Sequence, residues 1–172
     1  MKRVAEERNI AIAGVFCNRP QARVVQRAHR RNVPVLVFGK AHLEEEWVLS
    51  MLRFLKVDVI VLLGFLWKIP APILEAFPSR VVNLHPSLLP DFGGAGMYGM
   101  RVHEAVVAQG CRESGITLHL ADAEYDRGPV LLQKRIALDP GESPESLAAK
   151  IHALEQAEVP EALVAFISSL DA

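Results

Sequence analysis

Residues 58–63 read Asp-Val-Ile-Val-Leu-Leu, a short run that is apolar at every position after the first. Successive side chains of a strand point to opposite faces, so a strand wetted on one face alternates polar and apolar residues. A strand that is apolar throughout is covered on both faces, the usual situation of a parallel strand between two helical layers. The rest of the chain agrees with that architecture. Residues 10–16 and 33–38 are short, β-branched and apolar, and Asn18-Arg19-Pro20 closes the first with turn residues. Between them, 21–31 carries Val24, Val25 and Ala28 at helical spacing, and 44–56 places Trp47, Val48, Met51, Leu52 and Leu55 on one side. A proline-bounded helical stretch at 72–77, a strand at 81–84 and a helix at 100–109 follow. Residues 115–120 and 130–138 read as a strand pair with one exposed face. Ser143, Pro144 and Glu145 give the last helix an N-cap, a first-turn proline and a partner for the helix dipole. The expectation is an α/β fold: a mostly parallel open sheet with helices on both faces, and antiparallel strands near the C-terminal end.

A chain of 172 residues that is 51% hydrophobic can build one such domain without a disulfide or metal staple. Nineteen basic and 20 acidic side chains leave a net charge of −1, with no broad electrostatic footprint for nucleic acid or an anionic membrane. Cys17 and Cys111 lack ligand spacing and read as reduced thiols; no pair of histidines has the spacing of a zinc helix, so no metal is expected. The longest apolar run, 57–67, is broken by Asp58 and falls short of the roughly 18 residues of a membrane span. Residues 1–9 carry the charge of a signal peptide without its apolar region, so a cytoplasmic location is the default expectation.

In open α/β sheets, ligands bind beyond the carboxyl ends of the strands. Asn83 and His85 fall at one such end and, two residues apart, share a face. An amide donor beside an imidazole suits acyl transfer: one stabilises an oxyanion, and the other adds charge or a proton. Asp126 sits in the turn Tyr125-Asp126-Arg127-Gly128-Pro129, where an aspartate can equally serve the backbone. It acquires chemical meaning where the fold carries it to His85. His119 lies on an alternating strand, open to a role as a hydrogen-bonding support or as an ordinary half-buried residue. Gly93-Gly94-Ala95-Gly96 marks a loop but does not follow a strand and open a helix as a dinucleotide site does.

Taken together, these segments resemble the phosphoribosylglycinamide formyltransferase family. The resemblance is carried by Gly64-Phe65-Leu66-Trp67-Lys68-Ile69-Pro70, by NLHPSLLP at 83–90, by SGITLHLADAEYDRGPVLLQ at 114–133, and by the closing helix around LAAKIHALEQAEVP at 147–160. It implies catalysis by Asn83, His85 and Asp126, with 10-formyltetrahydrofolate as co-substrate and glycinamide ribonucleotide as formyl acceptor in purine biosynthesis. Protonated His85 and Asn83 would stabilise the oxyanion, and Asp126 would support His85. The folate pocket would be lined by Leu66, Trp67, Lys68 and Ile69, by Asn83, and by Ala121, Asp122, Ala123, Glu124, Tyr125 and Asp126, with Lys40 as a basic contact. Glu155 and His152 match positions that contact the ribonucleotide, and His119 stands behind the catalytic groups.

Two departures accompany the resemblance. The loop at 91–100 is longer than in many relatives. The family's first strand, its phosphate loop and its first helix find no counterpart, so the domain at 1–172 is expected to be truncated at its start, with exposed strand edges that invite self-association. On that expectation the chain binds folate and holds the ribonucleotide weakly. Alternative functions are another folate formyl-handling enzyme (a formyltetrahydrofolate hydrolase, or a tRNA or sugar formyltransferase) or a catalytically impaired folate-binding remnant. The hydrolases carry a second histidine where this chain has Pro86.

Overall fold

The computed structural model describes residues 10–170, so the expectations for residues 1–9 lie outside the described residues. In chain order the elements are β1 (Val15–Cys17), α1 (Arg23–His29), β2 (Val35–Val37), α2 (Lys40–Glu44), α3 (Trp47–Phe54) and β3 (Ile60–Leu63). There follow α4 (Ala71–Ala76), β4 (Val81–His85), α5 (Met100–Ala108), β5 (Glu113–Leu120), β6 (Val130–Ala137) and α6 (Pro144–Ser169). β1 pairs with β2 in parallel, β3 with β4 in parallel, and β4–β5–β6 continue antiparallel.

The helix expected at 44–56 is found at 47–54, and a separate short helix, 40–44, precedes it. Glu46, with φ of 61°, turns the chain between α2 and α3. Burial supplies the reason: Leu43 is buried in α2, while Val48, Leu49 and Leu52 are buried in α3. In one continuous helix of 3.6 residues per turn, Leu43 and Leu52 would face opposite ways; the break lets both join one core. The start of α6 follows the sequence signal, with the Ser143 hydroxyl accepting the Ser146 N–H at 3.1 Å.

Two apolar cores lie on the two faces of the sheet. Phe38, Leu43, Leu49, Leu52, Ile73, Phe77 and Val81 form one. Val82, Val106, Ile116, Leu118, Leu147, Ile151 and Leu163 form the other. Val81 and Val82 belong to different cores, as alternation along β4 requires, which places Asn83 and His85 on the face of Val81. Two expectations fail: β5 was read with one exposed face, yet residues 114–119 are buried on both faces. β3 was read as covered on both faces, yet its residues are half-buried and Leu63 is 52% exposed. The described strands form two sheets, β1–β2 and β3–β4–β5–β6, and β3 is an edge.

Candidate active site

β4 delivers Asn83 and His85 to one face, and the antiparallel register sets His119 of β5 opposite Asn83 and Thr117 opposite His85. Directly opposed side chains on one face touch, and the Asn83 Nδ2 lies 3.0 Å from His119 Nε2. The missing member comes from the loop after β5. Asp126, with φ of 58°, turns its carboxylate back over the strand end. Asn83 Nδ2 donates to its Oδ1 at 3.3 Å, and the Gly94 N–H donates to its Oδ2 at 2.8 Å. His85 Nδ1 stands 3.5 Å from Oδ2, and His119 Nε2 stands 3.6 Å from Oδ1.

Two small residues permit that return. A Cβ at Gly128 would stand 1.9 Å from the Leu120 carbonyl oxygen, and one at Gly93 would stand 2.5 Å from Leu89 and 3.2 Å from the Asp126 Cβ. Gly128→Ala therefore forces the loop off β5. The expected cost is about 1–3 kcal/mol, seen in thermal unfolding as a fall of roughly 2–4 °C in Tm per kcal/mol. An unchanged Tm would contradict this account of the loop.

The electrostatics follow from the packing. His85 is 4% exposed, and burial pushes its pKa below the ordinary value of 6.5. The Asp126 carboxylate and the Phe92 carbonyl oppose that push without reversing it. Because a carbonyl only accepts, His85 Nε2 carries the proton it gives to Phe92 O at 2.8 Å. The same reasoning puts a proton on His119 Nδ1, 2.9 Å from the Leu120 carbonyl, and leaves Nε2 to accept from Asn83. Burial alone would raise the Asp126 carboxyl. The His119 ring, the Gly94 N–H and His85 together outweigh it and hold the pKa below its usual 3.8.

These groups line one cavity of about 1050 Å³. Leu66, Trp67, Lys68 and Ile69 line it, together with Ala121, Asp122, Glu124 and Tyr125. His152 and Glu155 of α6 reach the same cavity and lie 3.3 Å apart. Two expected pocket residues lie elsewhere. Lys40, with its side chain 71% exposed, pairs with Glu44 at 3.4 Å because both stand on the outer side of α2. Ala123 lines a neighbouring depression against α4. His119 is buried and hydrogen-bonded rather than half-buried.

Sequence reasoning missed three contributors: the Phe92 carbonyl, the Gly94 N–H, and His103. His103 is buried on α5, lines the cavity, and has its pKa lowered by burial and then by the charge of His85. The glycine pair at 93–94 was the available signal for the first two, since adjacent glycines mark a close backbone approach. Among the described residues, no group of three or more His, Cys, Asp or Glu side chains is arranged to hold a metal ion, and no helix is long and apolar enough to cross a membrane.

Comparison with known proteins bears directly on this constellation. The family described as formyl transferase matches residues 2–163. The chain belongs to the formyl transferase family. A chloroplastic phosphoribosylglycinamide formyltransferase of Arabidopsis thaliana is 43% identical over 130 residues, covering 72% of this chain and 44% of the plant protein. The phosphoribosylglycinamide formyltransferase of Bacillus subtilis is 33% identical over 158 residues, covering 88% of this chain and 78% of that protein. The solved glycinamide ribonucleotide transformylase 1 of Geobacillus kaustophilus superposes with a TM-score of 0.83 at 35% identity, over 94% of this chain and 88% of that one. The chain thus spans less than half of its plant relative and most of its bacterial ones, and the resemblance to phosphoribosylglycinamide formyltransferases is borne out.

Proposed function

We propose that this chain forms a single formyltransferase domain that moves a formyl group from 10-formyltetrahydrofolate to the amine of glycinamide ribonucleotide. The observation that carries the reading is the convergence of Asn83, His85 and His119 on one carboxylate, Asp126, in the wall of a cavity of about 1050 Å³. That volume, which also takes in the gap beside Val24 and Arg27 of α1, is at the upper end of the ~300–1,000 Å³ usual for ligand sites. Leu66, Trp67 and Ile69 offer a flat apolar wall to a fused ring system, and Glu155 on α6 offers a carboxylate to an amine. The reading places the chain among the small-molecule enzymes of the cytoplasm.

10-Formyltetrahydrofolate supplies an electrophilic formyl carbon, and the chain's side chains do the rest. Attack by the amine turns the formyl oxygen into an oxyanion. Asn83 spends one amide hydrogen on His119 and the other on the longer bond to Asp126. The second is the one it can transfer to the oxyanion. Burial holds the His85 imidazole neutral near pH 7 in the free protein. A developing negative charge beside it favours protonation, so positive charge is drawn to His85 as the transition state forms and not before. Asp126, ionised and within reach of both, steadies that imidazolium and takes the proton the amine loses; delivery of that proton to the folate nitrogen lets its bond to the formyl carbon break, the oxyanion collapse to the new amide carbonyl and tetrahydrofolate leave.

The test is a turnover assay with both substrates, following release of tetrahydrofolate. Formyl transfer that depends on glycinamide ribonucleotide is expected. Release of formate without the acceptor would move the reading to a hydrolase. Folate binding is read separately: addition of a folate analogue should quench the fluorescence of Trp67, and Trp67→Phe should remove the change. No turnover combined with no quenching would end the proposal.

A further inference from the structure

Two acceptors compete for the single proton of the neutral His85 ring. Phe92 O stands 2.8 Å from Nε2, and the Asp126 carboxylate stands 3.5 Å from Nδ1. A carboxylate is the stronger acceptor, so the carbonyl keeps the proton only while it is held at the shorter distance. The outcome matters for the chemistry. With the proton on Nε2, the lone pair of Nδ1 faces Asp126 and can take up a second proton there. In the other tautomer the lone pair lies on Nε2, against Phe92, and nothing on the Asp126 side of the ring can be protonated.

The groups that hold the Phe92 carbonyl come from across the sheet. The register sets His85 opposite Thr117 of β5, and Thr117 opposite Gln133 of β6, so the three side chains form a row on one face. The turn from Ser87 to Phe92 lies over this row. Thr117 is fully buried. Its hydroxyl donates to Ser87 O at 2.7 Å and accepts from the Leu89 N–H at 3.0 Å and from Gln133 Nε2 at 3.1 Å. Those three bonds fill the capacity of one hydroxyl. Gln133 Nε2 gives its other hydrogen to Leu89 O at 2.9 Å. A carbonyl only accepts, so the amide nitrogen of Gln133, and not its oxygen, faces the turn. Leu89 is thereby tied at both of its peptide groups. The Ser87 hydroxyl donates to Asp91 O at 2.8 Å, and Phe92, with φ of 57°, sends its carbonyl back to His85.

We propose that Gln133 is a positioning residue for His85: through Leu89 and Thr117 it holds the 87–92 turn so that Phe92 O captures the Nε2 proton and Nδ1 stays open beside Asp126. Gln133 lies outside the residues that line the cavity, so its influence on the reaction passes through that ring. The consequence for turnover rests on the formyl transfer proposed above, whereas the choice of tautomer belongs to the free protein.

The experiment pairs imidazole ¹⁵N NMR of the substrate-free protein, at a pH where His85 is neutral, with turnover and Trp67 fluorescence titration. Gln133→Met keeps the length of the side chain and removes both donors. Gln133→Glu keeps its shape and turns an acceptor on Leu89 O. Ile136→Ala, on the same strand but packed into the opposite core, shows what lost stability does by itself. In the parent, the His85 proton should sit on Nε2. In both Gln133 variants a large share should move to Nδ1, and kcat should fall about tenfold to a hundredfold, as displacement of a reacting group by up to an ångström costs. Folate affinity should stay close to that of the parent, and Ile136→Ala should change neither tautomer nor kcat. The proposal is overturned by a parent-like tautomer in both Gln133 variants, by a parent whose proton already sits on Nδ1, or by equal changes in Ile136→Ala. A parent that binds folate and turns nothing over would remove formyl transfer instead, and the tautomers would then decide the role of Gln133 by themselves.

Discussion

His85→Ala is expected to lower turnover by about two to three orders of magnitude, the usual worth of one preorganised group acting on a developing oxyanion, while folate affinity changes only a few-fold. The separation follows from the geometry. The walls proposed to hold the folate are residues 66–69 and the loop after β5, whereas His85 contributes a buried ring between Phe92 O and the Asp126 carboxylate. Its charge is disfavoured in the free protein and favoured once the oxyanion forms, so its interaction energy belongs to the transition state and is lost from kcat rather than from binding. Asn83→Ala should behave alike, because its transferable hydrogen bond also strengthens only in the transition state. Single-turnover rates measure the first quantity and Trp67 fluorescence titration the second, with circular dichroism confirming that each variant is folded. A kcat within a few-fold of the parent in either variant would remove that residue from the chemistry.

How much of this was legible in the sequence depends on range. Period-two spacing placed Asn83 and His85 on one face of β4, and the structure agrees. The N-cap at Ser143 and the alternation of strand and helix were equally local signals. The approach of Asp126 to His85 spans 41 positions of chain, and no spacing rule reports it; only the family resemblance pointed there. The physical devices behind it were present but mute: the left-handed Asp126, Gly128 against Leu120, and Gly93 against Leu89. Lys40 came from the resemblance alone, as a basic contact, and α2 turns it to solvent and to Glu44. The character of β3 was read correctly and its surroundings were not, because a composition suited to burial on both sides reports what the strand needs and not what lies beside it.

Asp126→Asn should be the most informative single change, since one carboxylate faces four partners. The variant keeps the shape and can still accept a hydrogen bond from the Gly94 N–H, so the fold should persist. It loses the charge that opposes desolvation at His85. Burial is the largest influence on that ring and Asp126 the next, so the His85 pKa should fall further in the variant, visible in its imidazole NMR titration. With the imidazolium harder to form, turnover should drop by about 10²–10⁴, the range for loss of a positioned acid–base group. Stability gives an independent check. In the parent, Asp126 is held below its ordinary 3.8, so its contribution is present above that pH and is lost as pH falls through the lower folded value. His85 acts in the same direction over a different window: the unfolded chain takes up a proton near 6.5 that the folded ring resists, so stability also declines as pH falls below 6.5 toward the folded value. Denaturant unfolding of the parent should therefore weaken in two acid steps. In the variant the lower step should shrink to what Glu142, whose pKa is held at about 2, still contributes, and the upper one, with the His85 ring more reluctant to charge, should extend to lower pH. Turnover within tenfold of the parent, together with an unshifted His85 titration, would mean that Asp126 is a turn residue and no more.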